Sequence, residues 1–144
     1  MTIRERRLSD VLKRGYSDEE IQHIYELGRF HLENGNVSRA EPIMLGLTGV
    51  APEFVPAWLA LSYIYLIQGN DDSALNAARH AQRLDVNSVE ALLFLVTALL
   101  GGGDYNTAGA YLGEVQEKIE AGANDNPNVV RYYRAQLARY ESRK

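Results

Sequence analysis

The chain has no cysteine among its 144 residues. Structural disulfides and thiolate metal sites are thereby excluded, which is compatible with a reducing compartment. No uninterrupted stretch of about 18 apolar residues is present to span a membrane. The longest apolar run, Val89 to Leu100, is broken by Glu90 and Thr97 and reads as a buried helix. The basic residues before Gly15 are not followed by an apolar run either, so a secretory signal is not expected there. These absences together predict a soluble, cytoplasmic protein. Positive charge is also missing from the middle of the chain. Residues 1–14 carry +3 and residues 131–144 carry +4, whereas the 116 residues between them carry −11, for a net −4. An acidic body argues against nucleic-acid binding, which needs a basic stripe to displace counterions from phosphates. The two basic ends read as solvated terminal helices.

What is present is a period. The frames 21–54, 55–88 and 89–122 superpose with a shift of 34 residues. Repeat position 4 is large and apolar (Ile24, Trp58, Leu92) and position 7 is leucine (Leu27, Leu61, Leu95). Position 15 is glycine (Gly35, Gly69, Gly103) and position 20 is alanine (Ala40, Ala74, Ala108). Positions 4, 7 and 11 fall on one stripe of a first helix, and glycine at 15 supplies the positive φ of a turn. Alanine at 20 lets a second helix approach closely. Each unit is therefore a helical hairpin. The first repeat adds Gly28, Met44, Leu47 and Pro52. The second has Ser62 where the first has Gly28, and the third places Gly109 and Gly113 inside its second helix, each at a cost of about 1 kcal/mol against alanine.

These residues resemble the tetratricopeptide repeat, over about seventy per cent of the chain. The fold class implied is all-α: a solenoid of three helical hairpins in a single domain spanning 1–144. A short N-terminal helix and cap at 1–20 precedes the hairpins and a capping helix at 126–142 follows them. The ends support this order. Residues 3–14 place Ile3, Leu8, Val11 and Leu12 on one helical side, and Ser17 with Glu20 forms a capping box before the first repeat. Asn126-Pro127 starts a last helix whose Val129, Tyr133, Leu137 and Tyr140 share a face.

The resemblance also implies where a partner would bind. In this repeat family, positions 2, 5, 9 and 12 of each first helix face the concave side. Here they are Gln22, Tyr25, Arg29 and Leu32; Pro56, Leu59, Tyr63 and Leu66; and Glu90, Leu93, Thr97 and Leu100, with Glu26, Ala60 and Phe94 at position 6. The groove expected to hold a partner comprises Tyr25, Arg29, Leu32, Leu59, Tyr63, Leu66, Leu93, Phe94, Thr97 and Leu100, with Tyr25, Tyr63 and Phe94 as anchors. Most of these are apolar or aromatic, a surface that suits an apolar segment. The basic clamp with which related repeats grip acidic chaperone tails is absent, since its positions hold Tyr25, Arg29, Ala60, Glu90 and Phe94.

Within the repeat family, the size, the run from Ser17 to Leu27 and the apolar concave face are similar to the small type III secretion chaperones that hold translocator proteins. That resemblance implies a protein-binding chaperone for an exported client, whether translocator, needle or export-apparatus subunit, held as an extended or helical segment. A homodimer is a further partner it allows. The alternative is a structural adaptor whose groove is filled by its own terminal helix or by a second subunit. No enzyme, metal or cofactor is expected. The histidines, His23, His31 and His80, have no second histidine at ligand spacing, and Gly101-Gly102-Gly103 lacks the lysine and hydroxyl residue of a phosphate loop.

Overall fold

The computed structural model describes residues 15–143, and the helix expected at 3–14 lies outside the described residues. The described residues are all-α, with seven helices: α1 (Asp18–Glu33), α2 (Val37–Val50), α3 (Val55–Ile67), α4 (Asp71–Leu84), α5 (Val89–Gly101), α6 (Tyr105–Glu120) and α7 (Pro127–Glu141). They follow the paired-hairpin order read from the 34-residue period, with α7 after the third pair.

One turn is used three times. Gly35, Gly69 and Gly103 have φ of 76°, 75° and 84°. In each turn the residue after the glycine donates its N–H five residues back: Asn36 to the His31 carbonyl at 2.8 Å, Asn70 to Tyr65 at 2.8 Å and Asp104 to Leu99 at 2.9 Å. The glycine N–H closes an inner bond to Leu32, Leu66 or Leu100. This pair of bonds satisfies carbonyls that a helix end leaves open, and only glycine adopts the left-handed conformation without strain. The same Asn or Asp is then the N-cap of the next helix. Asn70 Oδ1 accepts from the Ser73 N–H and Asp104 Oδ1 from the Thr107 N–H, each at 3.2 Å. Two residues thus end one helix and begin the next.

The helix before each turn meets the one after it through small residues. Ala40, Ala74 and Ala108 are fully buried. Across the first hairpin, Gly28 has no room for a side chain: a Cβ there would stand 2.8 Å from Met44 Cε and 2.9 Å from Ile43 Cγ2. In the second hairpin Ser62 takes the place of that glycine, and its hydroxyl donates to the Ala74 carbonyl at 2.8 Å. A buried hydroxyl left without a partner would cost about 1–3 kcal/mol, so this bond is what makes serine tolerable at the position.

The chain ends behave as their local chemistry dictates. At α1, the Glu20 N–H donates to Ser17 Oγ and the Ser17 N–H to Glu20 Oε1, the reciprocal pair expected of a capping box. At α7, Pro127 opens the helix and Asn126 Oδ1 accepts from the Asn128 N–H at 2.9 Å.

The helices group into two compact units, one ending at Leu61 and one beginning at Ser62, so the division falls within α3. In the first unit α1 packs on α2. In the second, α5 packs on α4 and α6, and α7 lies against both α5 and α6. Helix α5 is the centre of this second unit, with nine of its thirteen residues buried. Leu95 there joins Ala78 of α4 in the core. The equivalent Leu27 in α1 is 53% exposed, as is Phe30 at 59%. The reason is positional: Leu95 has the preceding hairpin to pack on, and no described helix precedes α1.

Candidate functional site

The expected groove residues divide between the two units. In the first unit, Tyr25 is half-buried and meets Phe54 edge-on, with ring centroids 5.5 Å apart. Burial raises the Tyr25 phenol above its ordinary value, with Arg29 opposing and Glu33 assisting the shift. Arg29 is exposed and pairs with Glu33 one turn on, at 3.4 Å. Leu32 and Leu59 are half-buried. This is an aromatic and aliphatic surface with one exposed ion pair.

In the second unit the ten-residue expectation divides. Tyr63 is 44% exposed and Leu66 half-buried, but Leu93 and Leu100 are in the core. Helix α7 explains the burial. Val129, Tyr132 and Tyr133 pack against the cluster that holds Leu93, and Tyr133, Leu137 and Tyr140 against the cluster that holds Leu100. The capping helix therefore lies on the face that the repeat register alone would leave open at the third hairpin. Thr97 is engaged as well. Its Oγ1 donates to the Leu93 carbonyl at 2.8 Å and lies 2.6 Å from the Tyr132 hydroxyl. A threonine hydroxyl has one proton, and when that proton goes to Leu93 the Tyr132 O–H is the donor to Thr97. Desolvation raises the Tyr132 phenol above its ordinary value.

Beside this contact a preformed cavity of about 220 Å³ remains. Tyr63, Phe94 and Tyr132 line it, together with Leu93, Val129, Glu90 and Asn128. The Phe94 and Tyr63 rings are 6.3 Å apart and tilted by 38°, and Phe94 meets Tyr132 edge-on at 6.0 Å. Three aromatic rings from three helices thus converge on one opening. The repeat register named Tyr63, Phe94 and Glu90 as surface positions but gave no sign of Tyr132, Val129 and Asn128 as their partners. Tyr132 sits three residues after Val129 in α7, a helical spacing that could have grouped it with the buried face.

The described residues contain no group of three or more histidines, cysteines, aspartates or glutamates able to hold a metal ion. Among them, no helix is long and apolar enough to cross a membrane.

The fold is similar to that of the Yersinia enterocolitica type III secretion translocator chaperone SycD. The TM-score is 0.76 with 17% identity, over 88% of this chain and 84% of that one. A SycD structure with an alternative dimer gives 0.75 and 17%, over 88% and 92%. SycD in complex with a peptide of the translocator YopD gives 0.75 and 17%, over 88% and 93%. At this identity the likeness is one of fold. No family model matches the chain, and no curated protein matches it in sequence.

Proposed function

We propose that the chain is a protein-binding chaperone of the type III secretion kind, holding an apolar segment of an exported client in the cytoplasm. The observation that carries this reading is the preformed opening in the second unit. Its walls are aromatic and aliphatic, it is already shaped before any partner arrives, and Tyr63 stands at its edge 44% exposed. A largely apolar, preformed cavity with few polar groups is the usual form of a binding site. The fold similarity to SycD, whose complex with a translocator peptide is known, supports the client class. Leu66 is a further contact proposed for the same client in the second unit, Tyr25, Leu32 and Leu59 form an apolar surface proposed as a contact in the first unit by itself, and a needle or export-apparatus subunit would meet the same chemistry as a translocator.

A specific observation favours a second reading. Tyr132 of α7 already occupies Thr97 and packs on Phe94. In that reading the last helix fills part of the groove permanently, and the protein is an adaptor or self-associating scaffold.

The experiment is affinity capture of the tagged chain from its native cell, read by mass spectrometry, with Tyr63→Ala as the comparison. Leu93→Glu is unsuitable as a control because Leu93 is buried and a charge there would unfold the unit. Recovery of an exported protein with an apolar segment, lost on Tyr63→Ala while helix content is retained, is the expected result. Equal recovery by both forms, or recovery of the chain alone, would overturn the chaperone reading.

A further inference from the structure

The cavity in the second unit has one feature that a pocket for a purely aliphatic anchor does not need. Glu90, at the start of α5, lines it alongside the three rings. Among the described residues, the one bond that its carboxylate accepts is a long one, 3.4 Å from Asn124 Nδ2. Among the described residues no lysine, arginine or histidine pairs with it. A carboxylate beside apolar walls attracts a cation, and nothing described in the chain supplies one.

The rings add to that field. The face of an aromatic ring is electron-rich, and a cation within about 6 Å of a ring centroid is drawn to it, more strongly where water is excluded. Tyr63 and Phe94 are 6.3 Å apart and Phe94 and Tyr132 6.0 Å apart, so a group entering the cavity is within reach of more than one ring. Leu93 and Val129 complete an apolar wall for methylene groups. A lysine or arginine side chain combines these requirements, since its stem packs on apolar surface while its head keeps its charge.

We infer that this cavity is a cage for the cationic side chain of a client lysine or arginine, with Tyr63, Phe94 and Tyr132 as walls and Glu90 as counter-charge. The inference rests on the client-binding reading and names the residue type that the cavity selects. A client segment would then carry a basic residue among its apolar ones, which distinguishes it from segments that are apolar throughout.

The test uses the full chain, isotope-labelled, titrated in solution with three probes: the N-acetyl methylamides of lysine, arginine and norleucine. Norleucine retains the aliphatic stem and lacks the charge. The cage requires the two cationic probes to shift the resonances of Phe94, Tyr132 and Asn128, and to bind about fivefold or more tighter than norleucine. Glu90→Gln must remove that preference, and so must Phe94→Leu, which keeps the wall apolar without a ring face. Added salt must weaken the cationic probes and leave norleucine unchanged. Norleucine binding as tightly as lysine, lysine binding that ignores Glu90→Gln, or no binding of any probe would each overturn the cage. The client-binding reading is judged separately by the Tyr63→Ala capture, so either idea can fail while the other stands.

Discussion

Gly109 and Gly113 lie one turn apart in α6, and replacing each with alanine is expected to change stability in opposite directions. Both positions gain the intrinsic advantage of alanine over glycine in a helix, about 1 kcal/mol. At Gly113 that is the whole effect, because a Cβ there meets no heavy atom within 4 Å. Gly113→Ala should therefore stabilise by about 1 kcal/mol, or roughly 2–4 °C in Tm for a chain of this size. At Gly109 a Cβ would stand 2.5 Å from the Tyr140 hydroxyl oxygen and 2.9 Å from its Cζ. The Tyr140 ring cannot simply swing away. It packs on the core of α5 and α6, and the Arg143 guanidinium carbon lies 4.0 Å from its centroid. Overpacking of this kind costs about 1–3 kcal/mol, which equals or exceeds the propensity gain, so Gly109→Ala should destabilise by up to about 2 kcal/mol. Urea unfolding followed by circular dichroism at 222 nm measures both variants on one scale. A stabilising shift in both would mean that α7 does not lie against α6 as described, and the placement of the capping helix would have to be abandoned.

Two further outcomes follow from the contacts of α7 and α1. Tyr132→Phe keeps the ring against Phe94 and removes only the bond to Thr97, so it should lower the unfolding free energy by about 0.5–1.5 kcal/mol in the same urea assay. In alkali, the raised phenols of Tyr25, Tyr132 and Tyr133 favour the neutral folded form. Below pH 10 both folded and unfolded states hold these protons, and stability is indifferent to them. Above pH 10 the unfolded state releases them first, so stability falls as pH climbs toward the folded values. Absorbance at 295 nm should show part of the nine tyrosines ionising late, together with loss of helix. Uniform ionisation near pH 10 with helicity intact would contradict the burial of these rings.

The period made the hairpins legible because each of its fixed residues has a local job. Gly35, Gly69 and Gly103 are required by backbone conformation, Ala40, Ala74 and Ala108 by close approach, and Ser17 with Glu20 by unpaired N–H groups at a helix start. Local causes can be read from local sequence. The fate of Leu93 and Leu100 could not, because what buries them is α7, about 30–40 residues further along the chain. A repeat register assigns concave positions as though every repeat had the same neighbours, and the last repeat has the capping helix instead. Leu27 shows the same limit at the other end, where a core position in the register is largely exposed. The cavity escaped the sequence reading for a related reason. Tyr63 and Phe94 stand at concave positions of the register, but their third ring comes from a helix outside the period.

The only tryptophan of the chain lies in the first unit, where the Trp58 indole N–H donates to the Pro52 carbonyl at 2.8 Å. The rings of the cavity are all in the second unit. The protein thus carries its own pair of optical reporters: tryptophan emission follows residues up to Leu61, and near-ultraviolet tyrosine dichroism is weighted toward those beyond it. Heating the unlabelled chain while recording both signals would reveal whether α3, which crosses the division, melts as one helix or loses its two ends at different temperatures.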